Sequence, residues 1–220
     1  MTSPPVHSAR SPETVPDDLS ALARRALALT DGGRRALLGI TGAPGAGKTT
    51  LVTDLLALLP TGSVAHVPMD GFHLADVELD RLGRRDRKGA PDTFDVAGYV
   101  SVLRRIRDDT ADVVYAPGFE RTLDQPIAAS IAVEPAARLV VTEGNYLLHH
   151  EGLWPAIAQV LDEVWYVDLP EAVRLGRLVA RHAAYGKTVD EATEWAHGPD
   201  QANADLVAAA RVRADLIVVR

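Results

Sequence analysis

Cysteine is absent from the 220-residue chain. That excludes a disulfide framework, a zinc knuckle and a thiol nucleophile. No apolar run approaches the roughly 18 residues that mark a membrane-spanning helix. The opening stretch, MTSPPVHSARSPETVP, has no apolar core and is not expected to act as a secretory leader. Aromatic residues make up only 5%, so the few Trp and Tyr side chains are expected in the core or a pocket wall rather than in a base-stacking platform. Lysine is scarce: Lys48, Lys88 and Lys187 are the only three among 23 basic residues. Acidic residues number 30, for a net charge of −7, so the overall charge does not suggest a nucleic-acid-binding face. The chain is expected to be cytoplasmic and to bind neither nucleic acid nor membrane, with a homodimer left open.

What is present is ordinary globular material, 47% hydrophobic and 24% charged, enough for one domain with a sizeable core. Residues 1–15 are rich in Pro and Ser and are expected to form a flexible tail. Residues 16–220 are expected to form a single domain. Helical spacing runs through LSALARRALALT after Asp17 and Asp18, and Asp31-Gly32-Gly33 ends it. Short apolar runs predict strands at Ala36–Ile40, which Gly bounds, and at Val64–Met69, Leu139–Thr142, Val164–Val167 and Leu216–Val219, with a short one at Val113–Tyr115. Between them lie helical patterns ending at Pro60, over Val96–Arg107 with Asp95 as N-cap, over Leu153–Leu161, from Pro170 to about Ala184, and over Asp200–Arg213. Residues 71–95 are polar, rich in Arg and Gly and weakly periodic, and read as a long excursion from the sheet. Apolar strands alternating with helices predict an α/β fold with a parallel sheet covered on both faces. Ligands then bind beyond the carboxyl ends of the strands, which draws attention to residues 42–49, Asp70, Glu143 and Asp168.

Gly42-Ala43-Pro44-Gly45-Ala46-Gly47-Lys48-Thr49 fits GxxxxGK(S/T) between a predicted strand and a predicted helix. Glycines let successive N–H groups turn toward one anion, and the helix start adds unpaired donors. The pattern predicts a triphosphate held by residues 42–49 and Thr50, with Lys48 on the β/γ phosphates and Thr49 offering its hydroxyl to Mg²⁺. Gly186-Lys187-Thr188 is no second copy, because Arg181 stands where the first glycine belongs.

Neither Asn-Lys-x-Asp nor Thr-Lys-x-Asp occurs, which argues against a guanine-reading switch. Asp70 could take a proton from an acceptor hydroxyl, position it, or join the Mg²⁺ shell. Glu143 could complete that shell, or only cap a helix or pair with an arginine. In the excursion, Arg81, Arg84, Arg85, Arg87 and Lys88 read either as a solvated charge run or as cover for an acceptor. Arg121 could fix an acceptor or form a surface ion pair. Arg174, Arg177 and Arg181 share one helix face and suit a lid that neutralises transferring phosphate and excludes water. Arg177 and Arg181 are the favoured pair. His73 could face the acceptor. His149 and His150 are adjacent and lack the i, i+4 spacing of helical metal ligands.

In order, GAPGAGKTT, MDGFH, RKGAPDTFD, TEGNYLL and RLVARH resemble the uridine kinase, phosphoribulokinase and pantothenate kinase group over about residues 17–220. Short bacterial nucleoside/nucleotide kinase-like (fructokinase-like) members are the most similar. The resemblance implies a five-stranded parallel sheet flanked by helices, the P-loop fold, with an Arg-bearing lid over about 171–190. It also implies ATP- and Mg²⁺-dependent phosphorylation of a hydroxyl on a small metabolite, a nucleoside or a sugar. By resemblance, Asp70 engages the acceptor hydroxyl and Glu143 lies near magnesium. Arg177 and Arg181 are lid arginines, and Arg121 occupies a substrate-binding position. Nucleoside kinases carry Asp-Ser-Phe-Tyr where this chain has Asp70-Gly71-Phe72-His73, and the Asp-Gly-Phe form is similar to pantothenate kinases. The open alternatives are a pantothenate-type kinase, a P-loop ATPase or GTPase switch without a small acceptor, and a non-catalytic nucleotide-binding module.

Overall fold

The computed structural model describes residues 11–108 and 111–220; residues 1–10 of the expected tail lie outside them. Among the described residues there are eight strands, β1 (Glu13–Pro16), β2 (Ala36–Thr41), β3 (Val64–His66), β4 (Val114–Glu120), β5 (Gln125–Val133), β6 (Leu139–Gly144), β7 (Glu163–Asp168) and β8 (Leu216–Val219). The helices are α1 (Leu19–Ala28), α2 (Lys48–Leu58), α3 (Asp76–Leu82), α4 (Val96–Asp108), α5 (Pro155–Ala158), α6 (Glu171–Ala184), α7 (Val189–His197) and α8 (Pro199–Ala209).

Six strands form one parallel sheet in the order β1-β8-β7-β2-β6-β3. β2 is central and buried at all six positions. Its side chains alternate between two cores, as a period of two requires. Leu37 belongs to the core on one face, with Tyr99, Leu103, Leu147 and Ile157; Leu38 and Ile40 belong to the core on the other, with Leu22, Leu51 and Leu55.

The sheet differs from the expected five strands by one. Residues 13–15, expected within the tail, pair together with Pro16 in parallel with Leu216–Val219 as an edge strand. Val113–Tyr115 was expected as a short strand; instead β4 runs seven residues and pairs antiparallel with β5, away from the main sheet. β5 carries four exposed residues in succession, Ala128 to Ser130 following Ile127, so its apolar period is broken. The Leu153–Leu161 helix shrinks to four residues that start at Pro155. α7 had no expected counterpart, although Thr188 and Glu191 form a full capping box at its start. The excursion is built of α3 and short 3₁₀ turns and is tied down. Tyr146 donates its hydroxyl to Gly89 O at 2.6 Å, and Trp154 Nε1 donates to Pro91 O at 3.2 Å.

The hairpin register shifts between Ala116 and Gly118. Opposite the shift, Ala129 holds φ at +55° while Ser130 Oγ accepts from Gly118 N at 2.8 Å. The left-handed region costs a residue bearing a Cβ about 1–2 kcal/mol, and glycine's greater freedom in the unfolded chain offsets part of any relief. Ala129→Gly is therefore expected to stabilise the protein by roughly 0.5–1 kcal/mol, read as a higher urea midpoint. A lower midpoint would mean that the bulge is not strained.

Candidate functional site

The loop between β2 and α2 needs its glycines. Gly45 and Gly47 sit at φ +79° and +91°. A Cβ on Gly42 would stand 2.7 Å from Val167 O. Thr49 and Thr50 lie exposed in the first turn of α2. Lys48 Nζ donates to Gly42 O at 3.0 Å, Ala43 O at 3.1 Å and Asn145 Oδ1 at 2.7 Å. Burial pulls the Lys48 ammonium down to about 8; Glu143 and Asp70 oppose that shift and Arg181 adds to it. These influences bring Asp70, Glu143 and Arg181 into one electrostatic neighbourhood with Lys48.

β6 pairs in register with β2, setting Glu143 opposite Ile40. Glu143 Oε2 accepts the Thr49 hydroxyl at 3.0 Å. Burial raises the Glu143 pKa, with Lys48, Thr49 and Arg121 opposing and Asp70 adding to the rise. His66, at the end of β3, places Nε2 3.8 Å from Glu143 Oε1. Burial holds that imidazole down at about 4 against the pull of Asp70, so it is neutral at physiological pH.

Asp70 lies in a 3₁₀ turn, Met69–Phe72, just beyond β3. Gly71 allows the turn to meet the hairpin: a Cβ there would fall 2.2 Å from Pro117 O. The serine of the nucleoside-kinase pattern would collide with β4 at this point. Asp70 O pairs with His73 Nδ1 at 2.8 Å. A carbonyl only accepts, so Nδ1 carries the proton and Nε2 is left as an acceptor. His73 packs against Phe94 and Phe119, with ring centroids 4.1 and 5.0 Å away, and burial lowers its pKa. Among the described residues the Asp70 carboxylate makes no hydrogen bond or ion pair.

α6 crosses above the phosphate loop. A Cβ on Gly47 would stand 3.1 Å from Arg177 Nη1, and one on Gly45 would stand 2.8 Å from Leu178 Cγ. Arg121, Arg177 and Arg181 have no carboxylate partner among the described residues. The excursion's cations are different. Arg81 pairs with Glu78, Arg85 with Asp76, Arg87 with Asp92, and Lys88 with Asp76 and Asp124. They are committed to ion pairs, all within the excursion except that of Lys88 with Asp124. Arg174 departs from its two helix-mates: it is 4% exposed and donates to Pro44 O at 3.4 Å.

Among the described residues no group of three or more His, Asp or Glu could cage a metal ion. The donors that do converge are hard oxygens, Thr49 Oγ1 and the Glu143 carboxylate, with Asp70 nearby. Mg²⁺ is commonly held this way, by one or two carboxylates plus phosphate oxygens and water. The residues fit that ion.

Asp168 stands apart from this cluster, paired with Arg211 at 2.8 Å. His149 is buried against Tyr146 and Trp154. Lys187 lies over the Trp195 ring, 4.5 Å from its centroid. Three site residues had no expected role. Asn145 receives Lys48, and its place inside TEGNYLL was the available signal. His66 had none beyond its position at a strand end. Arg220 donates to Gly47 O at 3.0 Å and pairs with Asp17 at 2.6 Å and Asp54 at 3.3 Å; nothing local marks it.

No family model matches the chain. A Schizosaccharomyces pombe protein carried as "putative uridine kinase" is 32% identical over 207 residues, spanning 90% of this chain and 88% of that one. The chain belongs to the uridine kinase-like P-loop kinases. An "ATP-dependent kinase-like protein" of Aspergillus versicolor is 32% identical over 131 residues, 56% of this chain and 76% of that protein. The crystal structure of a "putative fructose transport system kinase" from Silicibacter sp. TM1040 superposes with a TM-score of 0.83 at 37% identity, covering 90% of this chain and 98% of that one. This P-loop kinase therefore keeps the parallel sheet and flanking helices of its relatives. Among its described residues no helix is long and apolar enough to cross a membrane.

Proposed function

We propose that this P-loop kinase transfers the γ-phosphoryl group of ATP, with Mg²⁺, to a hydroxyl of a small metabolite, a nucleoside or a sugar. The uncommitted Asp70 carboxylate, close enough for its charge to act on both Lys48 and Glu143, carries the reading. A purely structural aspartate in so polar a neighbourhood would be expected to hold a donor. ATP as donor is supported by the kinase relatives and by the phosphate loop. Mg²⁺, held by Thr49 and Glu143 with Asp70 in reach, would neutralise charge on the β and γ phosphates.

The backbone of residues 43–49 receives phosphate oxygens, and Lys48 leaves its carbonyl partners to reach them. Asp70 orients the acceptor hydroxyl and takes its proton as the oxygen bonds to phosphorus and ADP departs. His73 anchors the Asp70 turn through Nδ1 and offers Nε2 to a donor on the acceptor. Arg121, whose charge acts on Glu143, binds the acceptor. Arg177 and Arg181 shield the triphosphate and exclude water. The test is ATP consumption with nucleosides, sugars and pantothenate against a no-acceptor blank. Consumption that no acceptor stimulates would favour the ATPase or switch alternative and reject this reading. A response to pantothenate alone would select the pantothenate-type alternative.

Arg220 supports the cradle from behind. Removing a charged hydrogen bond costs about 1.5–3 kcal/mol, so Arg220→Leu is expected to raise KM for ATP by about tenfold or more with kcat changed far less. An unchanged KM would reduce Arg220 to a link between Asp17, just ahead of α1, and Asp54 on α2.

A further inference from the structure

Glu143 uses one carboxylate oxygen on Thr49; the other faces a histidine. Oε2 accepts the Thr49 hydroxyl at 3.0 Å, and Oε1 stands 3.8 Å from His66 Nε2. That nitrogen is fully shielded from solvent and has no hydrogen-bond partner. Buried polar atoms left without a partner are uncommon in native proteins, and each calls for a cause. The juxtaposition is set by the backbone. His66 pairs in register with Val141 on β6, two residues before Glu143. Residues two apart on a strand leave the same face, so His66 and Glu143 stand side by side on the α2 face of the sheet. Asp70 is the other charged group near the ring.

We propose that His66 is a positioning residue for Glu143: as the neutral Nε2–H tautomer, it donates to Oε1 when the metal–triphosphate is bound and keeps Oε2 turned toward Thr49. The inference rests on the reading of Thr49 and Glu143 as the metal side of the site. A separation of 3.8 Å is too long for a hydrogen bond, and a movement of about 1 Å closes it. A carboxylate free to rotate about its last bond would exchange its two oxygens; a donor on Oε1 removes that freedom. Partners of this kind, one step removed from the metal, typically change metal affinity by about 10- to 100-fold.

The test uses the full chain and needs no turnover. Mn²⁺ replaces Mg²⁺, a non-hydrolysable ATP analogue supplies the triphosphate, and the electron paramagnetic resonance of free Mn²⁺ gives the dissociation constant. His66→Leu, which fills the space without a donor, is expected to weaken Mn²⁺ binding about tenfold or more. His66→Gln places an amide N–H near the Nε2 position and is expected to bind within about threefold of the unaltered chain. Nitrogen-15 shifts of His66 in the unaltered protein should show Nε2 protonated and Nδ1 bare. Unweakened binding by His66→Leu, equal weakening in both variants, or a proton on Nδ1 instead would each overturn the inference. Failure of the unaltered chain to bind Mn²⁺ and nucleotide would instead reject the kinase site itself, and with it the role given to His66.

Discussion

Lys48→Ala is expected to abolish phosphoryl transfer, lowering kcat/KM by about 10³-fold or more. Lys48 is the phosphate loop's own side-chain cation, and it is parked on Gly42 O, Ala43 O and Asn145 Oδ1 within reach of the cradle. The variant should fold. Burial lowers the Lys48 pKa to about 8 from 10.5, so the fold disfavours its charge; the cost is present below pH 8 and disappears as pH rises toward 10.5. Truncation removes a group that opposes folding at neutral pH, and loss of activity will report function. The same depressed pKa predicts that nucleotide affinity falls as pH rises above about 8, because the neutral amine no longer attracts phosphate, and that binding below this point holds the proton on. Near wild-type turnover in Lys48→Ala would remove the basis of the proposed mechanism. Nucleotide affinity that stays flat to pH 10 would contradict the buried-lysine account.

Asp70→Asn is expected to lower kcat by about 10²–10⁴-fold while KM for ATP changes little. The amide matches the carboxylate in shape but accepts no proton, so packing of the turn against Pro117 is preserved. A fall confined to kcat separates acceptor chemistry from nucleotide binding. An unchanged rate would assign Asp70 to the turn alone. A large rise in KM for ATP would put it on the metal side with Glu143.

The phosphate loop was legible because its requirements are local. Positive φ at Gly45 and Gly47, a preceding apolar strand and a following helix are all written within about a dozen residues. Asp70 and Glu143 were legible by a weaker argument, since strand ends in a parallel sheet converge on one edge. The arginines proposed for a lid were partly legible: helical spacing put Arg174, Arg177 and Arg181 on one face, but it could not tell that Arg174 is buried on Pro44 and Gln201 while the other two have no carboxylate partner among the described residues. Charge alone did not show that the cations of the excursion are ion-paired, because its carboxylate partners come from α3, Asp92 and the distant Asp124.

The order of residues alone determined that a triphosphate cradle follows a buried strand, that strands and helices alternate, and that a metabolite-kinase motif set is present. These follow from backbone conformations and hydrophobic periods that neighbouring residues impose on one another. Tertiary structure alone decided that β3 lies beside β6, bringing His66 to Glu143, and that Asn145 faces Lys48. It also brought β8 round to seat Arg220 under Gly47, and it closed the hairpin over Gly71. Those contacts join residues tens to more than a hundred positions apart. They depend on strand order and close packing across the whole sheet, for which no stretch of chain carries a local signal.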